Sequence, residues 1–275
     1  MTVKPCARMI AATCLALLAT TAIGAQDAPQ PYQQPELSQR GKDVAWLPSL
    51  QAMVDRMLDM ADVKVDDYVV DLGSGDGITV ITAARRGAKA LGVEYAANLV
   101  ALSKKNAEAA GVGNLATFVQ GDLFETDFRD ATVVTLFLDQ DLNERLRPTI
   151  LEMKPNTRVV SNTWSMGDWM PDNKTPELPG CRQYCKASFW IVPAKVEGVW
   201  QLPEGELHLK QRYQMITGTI KFANGEAVIA NGRMQGDQIT FSIHDRIYRG
   251  RVSGNTMEGA FGTETKWQAT GSLDP

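Results

Sequence analysis

Three carboxylates close three successive apolar runs: Asp71 in "DLGSGDG", Glu94 in "GVEY" and Asp122 in "GDLF". The first run ends in a turn made of Gly73, Ser74, Gly75, Asp76 and Gly77. Glycines there let the backbone approach a ligand closely and adopt positive φ. A dinucleotide-binding turn of the G-x-G-x-x-G kind is not met, because the residue three after Gly75 is Ile78. Asp71 and Asp76 beside the turn would repel a pyrophosphate and suit a ligand bearing ammonium and sulfonium charge. Glu94 is placed to accept both ribose hydroxyls of an adenosine. Asp122 is placed to meet the adenine amino group, with Leu123 packing on the ring.

These residues need a scaffold that delivers strand ends side by side. "DYVVDLG", "KALGVEY", "ATFVQGD", "ATVVTLFL" and "TRVVSNT" read as strands, and 78–86, 97–110 (stopped by Gly111) and 142–153 as helices between them. Apolar positions from Leu50 to Ala61 recur at helical spacing, with Ser49 placed as the cap. Apolar strands alternating with helices predict a parallel sheet covered on both faces, an α/β doubly wound domain with its ligand at the carboxyl ends of the strands. Around residue 195 the pattern changes to short alternating runs with Gly/Asn turns, among them Asn224-Gly225 and Asn231-Gly232. That predicts an antiparallel all-β meander, curled into a small barrel or a sandwich.

The ordered acidic strand ends resemble the S-adenosylmethionine site of class I methyltransferases. "AWLPSLQAMVDRMLDMADVKVDDYVVDLGSGDG" and "VVTLFLDQDLNERLRPTILEMKPNTRVVSNTWSMGDW" are similar to the non-SET lysine methyltransferases, the family that includes the mitochondrial enzymes acting on ATP synthase and on the adenine nucleotide carrier. The resemblance covers about 45–195. It implies a Rossmann-like fold, S-adenosylmethionine as cofactor, methyl transfer, and protein lysine as acceptor. It also implies that Trp46, Pro48 and Ser49 fold over the methionine end of the cofactor. Asp71, Gly73, Ser74, Gly75 and Gly77 would shape its loop, Glu94 would take the ribose, and Asp122 and Leu123 would flank adenine. Asp139, closest to the end of the fourth strand, is the candidate to assist an acceptor lysine in losing its proton. Asn143 and its neighbour Glu144 follow on the next helix, Glu144 being equally suited to a solvated helix face. Trp164, Asp168 and Trp169 after the fifth strand either wall a substrate pocket or cap the core.

Residues 1–25 read as a signal peptide: Lys4 and Arg8, then an apolar stretch too short to span a bilayer, then a small-residue cleavage zone. Export to the periplasm or beyond is the expectation; a leader that does not function would leave the chain in the cytoplasm. Residues 26–45 read as a flexible leader, 46–195 as the methyltransferase domain and 196–275 as the meander. No membrane span is expected once the leader is removed. In an oxidising compartment Cys181 and Cys185 favour a disulfide over two free thiols. With His208 and His244 as the only histidines, no metal site is expected.

A formal charge of −4 argues against a broad nucleic-acid surface. An exported enzyme with a cytosolic cofactor is a difficulty. It leaves open a second class: a non-catalytic envelope protein that binds adenosine-like metabolites or recognises a partner through the meander.

Overall fold

Val69, Val70 and Leu72 are inaccessible to solvent, so the strand carrying them (β1, Tyr68–Leu72) is apolar on both faces and belongs in the middle of a sheet. The computed structural model describes residues 1–2, 34–261 and 265–273. The predicted leader, residues 1–25, lies almost wholly outside the described residues.

Around β1 a seven-stranded sheet runs in the order β3-β2-β1-β4-β5-β7-β6. β2 (Lys89–Glu94), β3 (Ala116–Gln120), β4 (Val133–Leu136) and β5 (Arg158–Asn162) run parallel with β1. β7 (Ala187–Ile191) and the two-residue β6 (Asn173–Lys174) complete one edge antiparallel. Helices α1 (Gln51–Met60), α2 (Ile78–Arg85) and α3 (Ala97–Ala109) pack into one apolar cluster, and α4 (Gln140–Leu151) into the other. The strand order reverses between β1 and β4, where the crevice of a doubly wound sheet opens.

Two helix starts differ from expectation. The cap of α1 is Leu50, which makes no side-chain cap bond, and Ser49 does not cap the helix. α4 begins at Gln140, two residues early, because the Asp139 carboxylate accepts the Leu142 N–H at 2.9 Å. Gly111 does end α3, with φ at 70°.

The second half is a closed barrel. β8 (Gly198–Leu202), β9 (Gly205–Arg212), β10 (Met215–Phe222), β12 (Ala230–Gln235), β13 (Gln238–Ile243), β14 (Arg246–Ser253), β15 (Thr256–Phe261) and β16 (Thr265–Leu273) form an antiparallel ring. β11 (Gly225–Val228) is an added strand on β10. Alternate residues fill the interior, including Trp200, Phe241, Tyr248, Met257 and Trp267. Asn231-Gly232 is not a turn but part of β12. The register shifts between Ala230 and Arg233, as at a β-bulge, and Asn231 takes φ 53°. Gly232 is required by contact: a Cβ there would stand 2.3 Å from the Ile216 carbonyl oxygen.

The two halves meet through the segment after β5. Asp168 accepts from Arg147 (2.6 Å), Arg212 (2.5 Å) and the Tyr213 hydroxyl (2.8 Å). Trp169 is fully buried and stacks on Tyr213. Asp172 pairs with Arg233, and Gln214 donates to the Met170 carbonyl. Asp168 and Trp169, considered for a substrate wall, therefore join the barrel to the sheet. Cys181 and Cys185 are bonded, with S–S at 1.98 Å. Among the described residues no helix is long and apolar enough to cross a membrane.

Candidate functional site

The turn between β1 and α2 is held by bonds from outside it. Gly73 and Ser74 donate N–H to the Val93 carbonyl at 2.9 and 3.1 Å, which ties the turn to the end of β2. Ser103 Oγ donates to the Gly75 carbonyl at 2.8 Å and Asn106 Nδ2 to that of Asp76 at 2.9 Å. Glu94 secures the tip: its Oε2 accepts the Gly75 N–H (3.0 Å) and its Oε1 the Ala96 N–H (2.8 Å). Gly77, with φ at 83°, precedes α2 and lies outside the cavity lining.

Above this turn a cleft of about 930 Å³, open mouth included, gathers residues far apart in sequence. Trp46, Ser49, Asp71, Gly73, Ser74, Gly75, Glu94, Asp122 and Leu123, all singled out from sequence, line it together; Pro48 does not. Asp76, Thr79, Tyr95, Phe137, Leu138 and Leu142 also line it and were not assigned to it from sequence, nor was Lys42.

The cleft is electrostatically unbalanced. Asp71 is 6% exposed and accepts from Thr135 Oγ1 at 2.6 Å. Burial, with Asp76 and Glu94 nearby, pushes its carboxyl up to about 7 despite that bond and one from Thr79. Burial also raises Asp76 and Glu94 above the ordinary carboxylate range. Three carboxylates in low dielectric are costly alone and become favourable when a cation enters. Asp122 differs: Lys42 pairs with it and the Phe124 N–H donates at 2.9 Å, which hold its carboxyl below the usual range.

The roof comes from the segment read as a flexible leader. From Ser38 onward it is a closed turn, with Ser38 N–H bonded to the Trp46 carbonyl, Trp46 N–H to that of Gln39, and a bridge between Arg40 and Ala45. Gln39 and Asn98 exchange amide hydrogen bonds at 3.1 and 3.0 Å, Lys42 pairs with Asp122, and Asp43 stands 4.0 Å from Arg145. Trp46 lies against the glycine turn: a Cβ on Gly75 would meet its Nε1 at 2.5 Å, and Gly75 has φ 53°.

The remaining candidates sit elsewhere. Asp139 spends its carboxylate on the α4 cap and is outside the lining. Asn143 is fully buried and donates to Ser161 Oγ and to the Trp164 and Ser165 carbonyls, shaping the turn after β5. Trp164 stands 38% exposed at that turn, away from the lining.

Comparison with known proteins agrees with this arrangement. A family model described as the ANTKMT methyltransferase domain matches residues 71–173, the span that carries Asp71, Glu94 and Asp122. A protein-lysine N-methyltransferase of Saccharolobus islandicus (strain REY15A) is 44% identical over 131 residues, 46% of this chain and 81% of that protein. The chain belongs to the ANTKMT-type methyltransferase family. An ATP synthase lysine N-methyltransferase of Caenorhabditis elegans is 31% identical over 147 residues, 51% of this chain and 76% of the relative. Among solved structures, an RNA methyltransferase from Salinibacter ruber in complex with S-adenosyl-L-homocysteine is 45% identical with a TM-score of 0.52, covering 55% of this chain and 96% of that one.

This member of the ANTKMT-type family is an S-adenosylmethionine-dependent methyltransferase. The cleft fits that cofactor: buried carboxylates suit its cationic methionine end, and Ser74 brings a buried Oγ that has no partner among the described residues. None of these comparisons supports a non-catalytic binding protein.

Proposed function

We propose that this methyltransferase acts on the amino group of a lysine side chain in a protein substrate. The observation that carries the reading is the 44% identity to a protein-lysine N-methyltransferase across most of that relative. In this reading Asp71 and the glycine turn hold the methionine end of the cofactor, Glu94 the ribose, and Asp122 with Leu123 the adenine, under a roof that includes Trp46 and Ser49. The cofactor supplies an electrophilic methyl group and a sulfur leaving group. The chain has to align an uncharged amine with it. Phe137, Leu138 and Leu142 give the cleft an apolar wall after β4, and Asp139 is committed to the helix cap. Desolvation by that wall favours the neutral amine, whose proton leaves to solvent before the nitrogen lone pair attacks.

An RNA acceptor, named for the Salinibacter ruber relative, is the competing outcome. The net charge of −4 weighs against it. The test incubates the mature chain and S-adenosylmethionine with envelope-protein extract and with RNA. Methylated lysine in the protein arm supports the reading, and label confined to RNA overturns it.

We also propose that the mature chain works outside the cytosol, in the periplasm or secreted. The charged, apolar and small-residue zones of 1–25 support this, as does the Cys181–Cys185 bond, which is of a kind that persists in oxidising compartments. Cell fractionation with N-terminal mass analysis tests it. An unprocessed chain confined to the cytosol would reject export.

A further inference from the structure

Phe137, on the apolar wall of the cleft, has an aromatic partner from a distant part of the chain. Tyr184 meets it edge-on, with ring centroids 5.2 Å apart and planes at 66°. Neither ring belongs to the hydrophobic core, and both are half-buried. Core packing therefore does not account for the pair.

The chain between β6 and β7 is shaped to bring Tyr184 to that place. Cys181 and Cys185 close it into a small covalent ring, and Leu178 and Cys185 are joined by a backbone bond of 2.9 Å. A further bond of 2.7 Å runs from the Thr163 N–H to the Lys186 carbonyl, fastening the ring to the residue after β5. Tyr184 itself takes φ 58°, in the left-handed region that is unfavourable for a bulky residue. A cross-link and a strained backbone thus hold one aromatic side chain over the carboxyl ends of β4 and β5, beside the cleft. Local strain of this kind concentrates where a ligand is clamped.

We propose that Tyr184 and Phe137 form the acceptor-binding wall of the enzyme, flanking the alkyl stem of the incoming amine, and that the Cys181–Cys185 ring holds Tyr184 in place. The proposal rests on the lysine reading above. It assigns the disulfide loop a role in acceptor affinity and none in cofactor binding. A small loop gains little global stability from its cross-link, so positioning is what the bond contributes.

The experiment uses the mature chain, saturating S-adenosylmethionine, and a randomised peptide library with one central lysine as acceptor, with methylation read by mass spectrometry. Tyr184→Ala should raise the acceptor KM about tenfold, the loss expected for one aromatic contact, with kcat little changed. The Cys181→Ser/Cys185→Ser double variant should do the same, and Tyr184→Phe should restore the wild-type KM. S-adenosylhomocysteine affinity, measured by calorimetry, should be unchanged in all three. An unchanged KM in folded Tyr184→Ala overturns the wall while leaving the lysine reading standing. No transfer to any lysine peptide by the wild-type chain, in preparations that bind S-adenosylhomocysteine, overturns the lysine reading and the proposal with it.

Discussion

Glu94 has two tasks at one carboxylate: it holds the Gly75 and Ala96 amides and it faces the cleft. The two separate by substitution. Glu94→Gln keeps the size but loses an ionised acceptor, and should weaken S-adenosylhomocysteine binding about ten- to a hundredfold in calorimetry. Glu94→Ala should add a lower melting temperature, because the glycine turn loses its tie. Unchanged affinity in folded Glu94→Gln would remove Glu94 as a cofactor ligand. Asp71 gives a pH dependence. Its carboxyl sits at about 7 when the cleft holds no cation, and a cationic ligand favours the ionised form. Binding then expels a proton below that pH, so affinity should climb as pH rises through about 7 and level off above it. Asp71→Asn should abolish the climb, and a pH-independent wild-type affinity would contradict the assignment. The same shift affects folding with the opposite sense: its contribution to stability is present below the ordinary carboxylate range and lost as pH rises through about 7. Asp71, Glu94 and Asp122 were legible in the sequence because each terminates an apolar run, which fixes both location and surroundings. Thr135, a polar residue inside "VVTLFL", was a readable sign of a buried partner. Lys42 and Tyr184 left no local sign, since their partners are brought by tertiary folding.

At the scale of elements, α4 offers a test between two uses of one residue. As a cap, Asp139→Ala should cost about 1 kcal/mol of stability, while Asp139→Asn, still a good capping side chain, should melt near the wild type. Neither should change S-adenosylhomocysteine affinity. A large drop in kcat for Asp139→Asn, with unchanged melting, would restore Asp139 as a proton acceptor. The parallel strands and their helices were readable from apolar runs and helical spacing. The exact helix starts were not, since Ser49 and Asp139 carry similar capping chemistry and the packing of the preceding loop decided between them. β12 was hidden for a related reason: Asn231-Gly232 has the composition of a hairpin turn, and only the close approach of Ile216 reveals why glycine is needed inside a strand.

Across the whole molecule, the residues around the cofactor cleft all precede β5, whereas the contacts to the barrel follow it. A chain spanning 26–195 should bind S-adenosylhomocysteine with nearly the affinity of 26–275, yet be less soluble, because Trp169 loses Tyr213 from its face. Loss of binding in a shortened chain with native-like circular dichroism would show that the barrel takes part in the cleft. The barrel's closure has its own consequence. Most neighbouring strands of the ring share four or more register pairs, but β10 and β12 share only Met215 with Arg233. That seam is where the sheet domain takes hold: Asp172 grips Arg233, and Gln214, itself bonded to the Met234 N–H, reaches Met170. The catalytic half therefore acts as a clasp on the barrel's weakest joint. Breaking the clasp with Asp172→Ala should speed amide hydrogen exchange at Arg233 and Met234 while leaving β13 and β14 protected, so the barrel would unzip from one side before it unfolds.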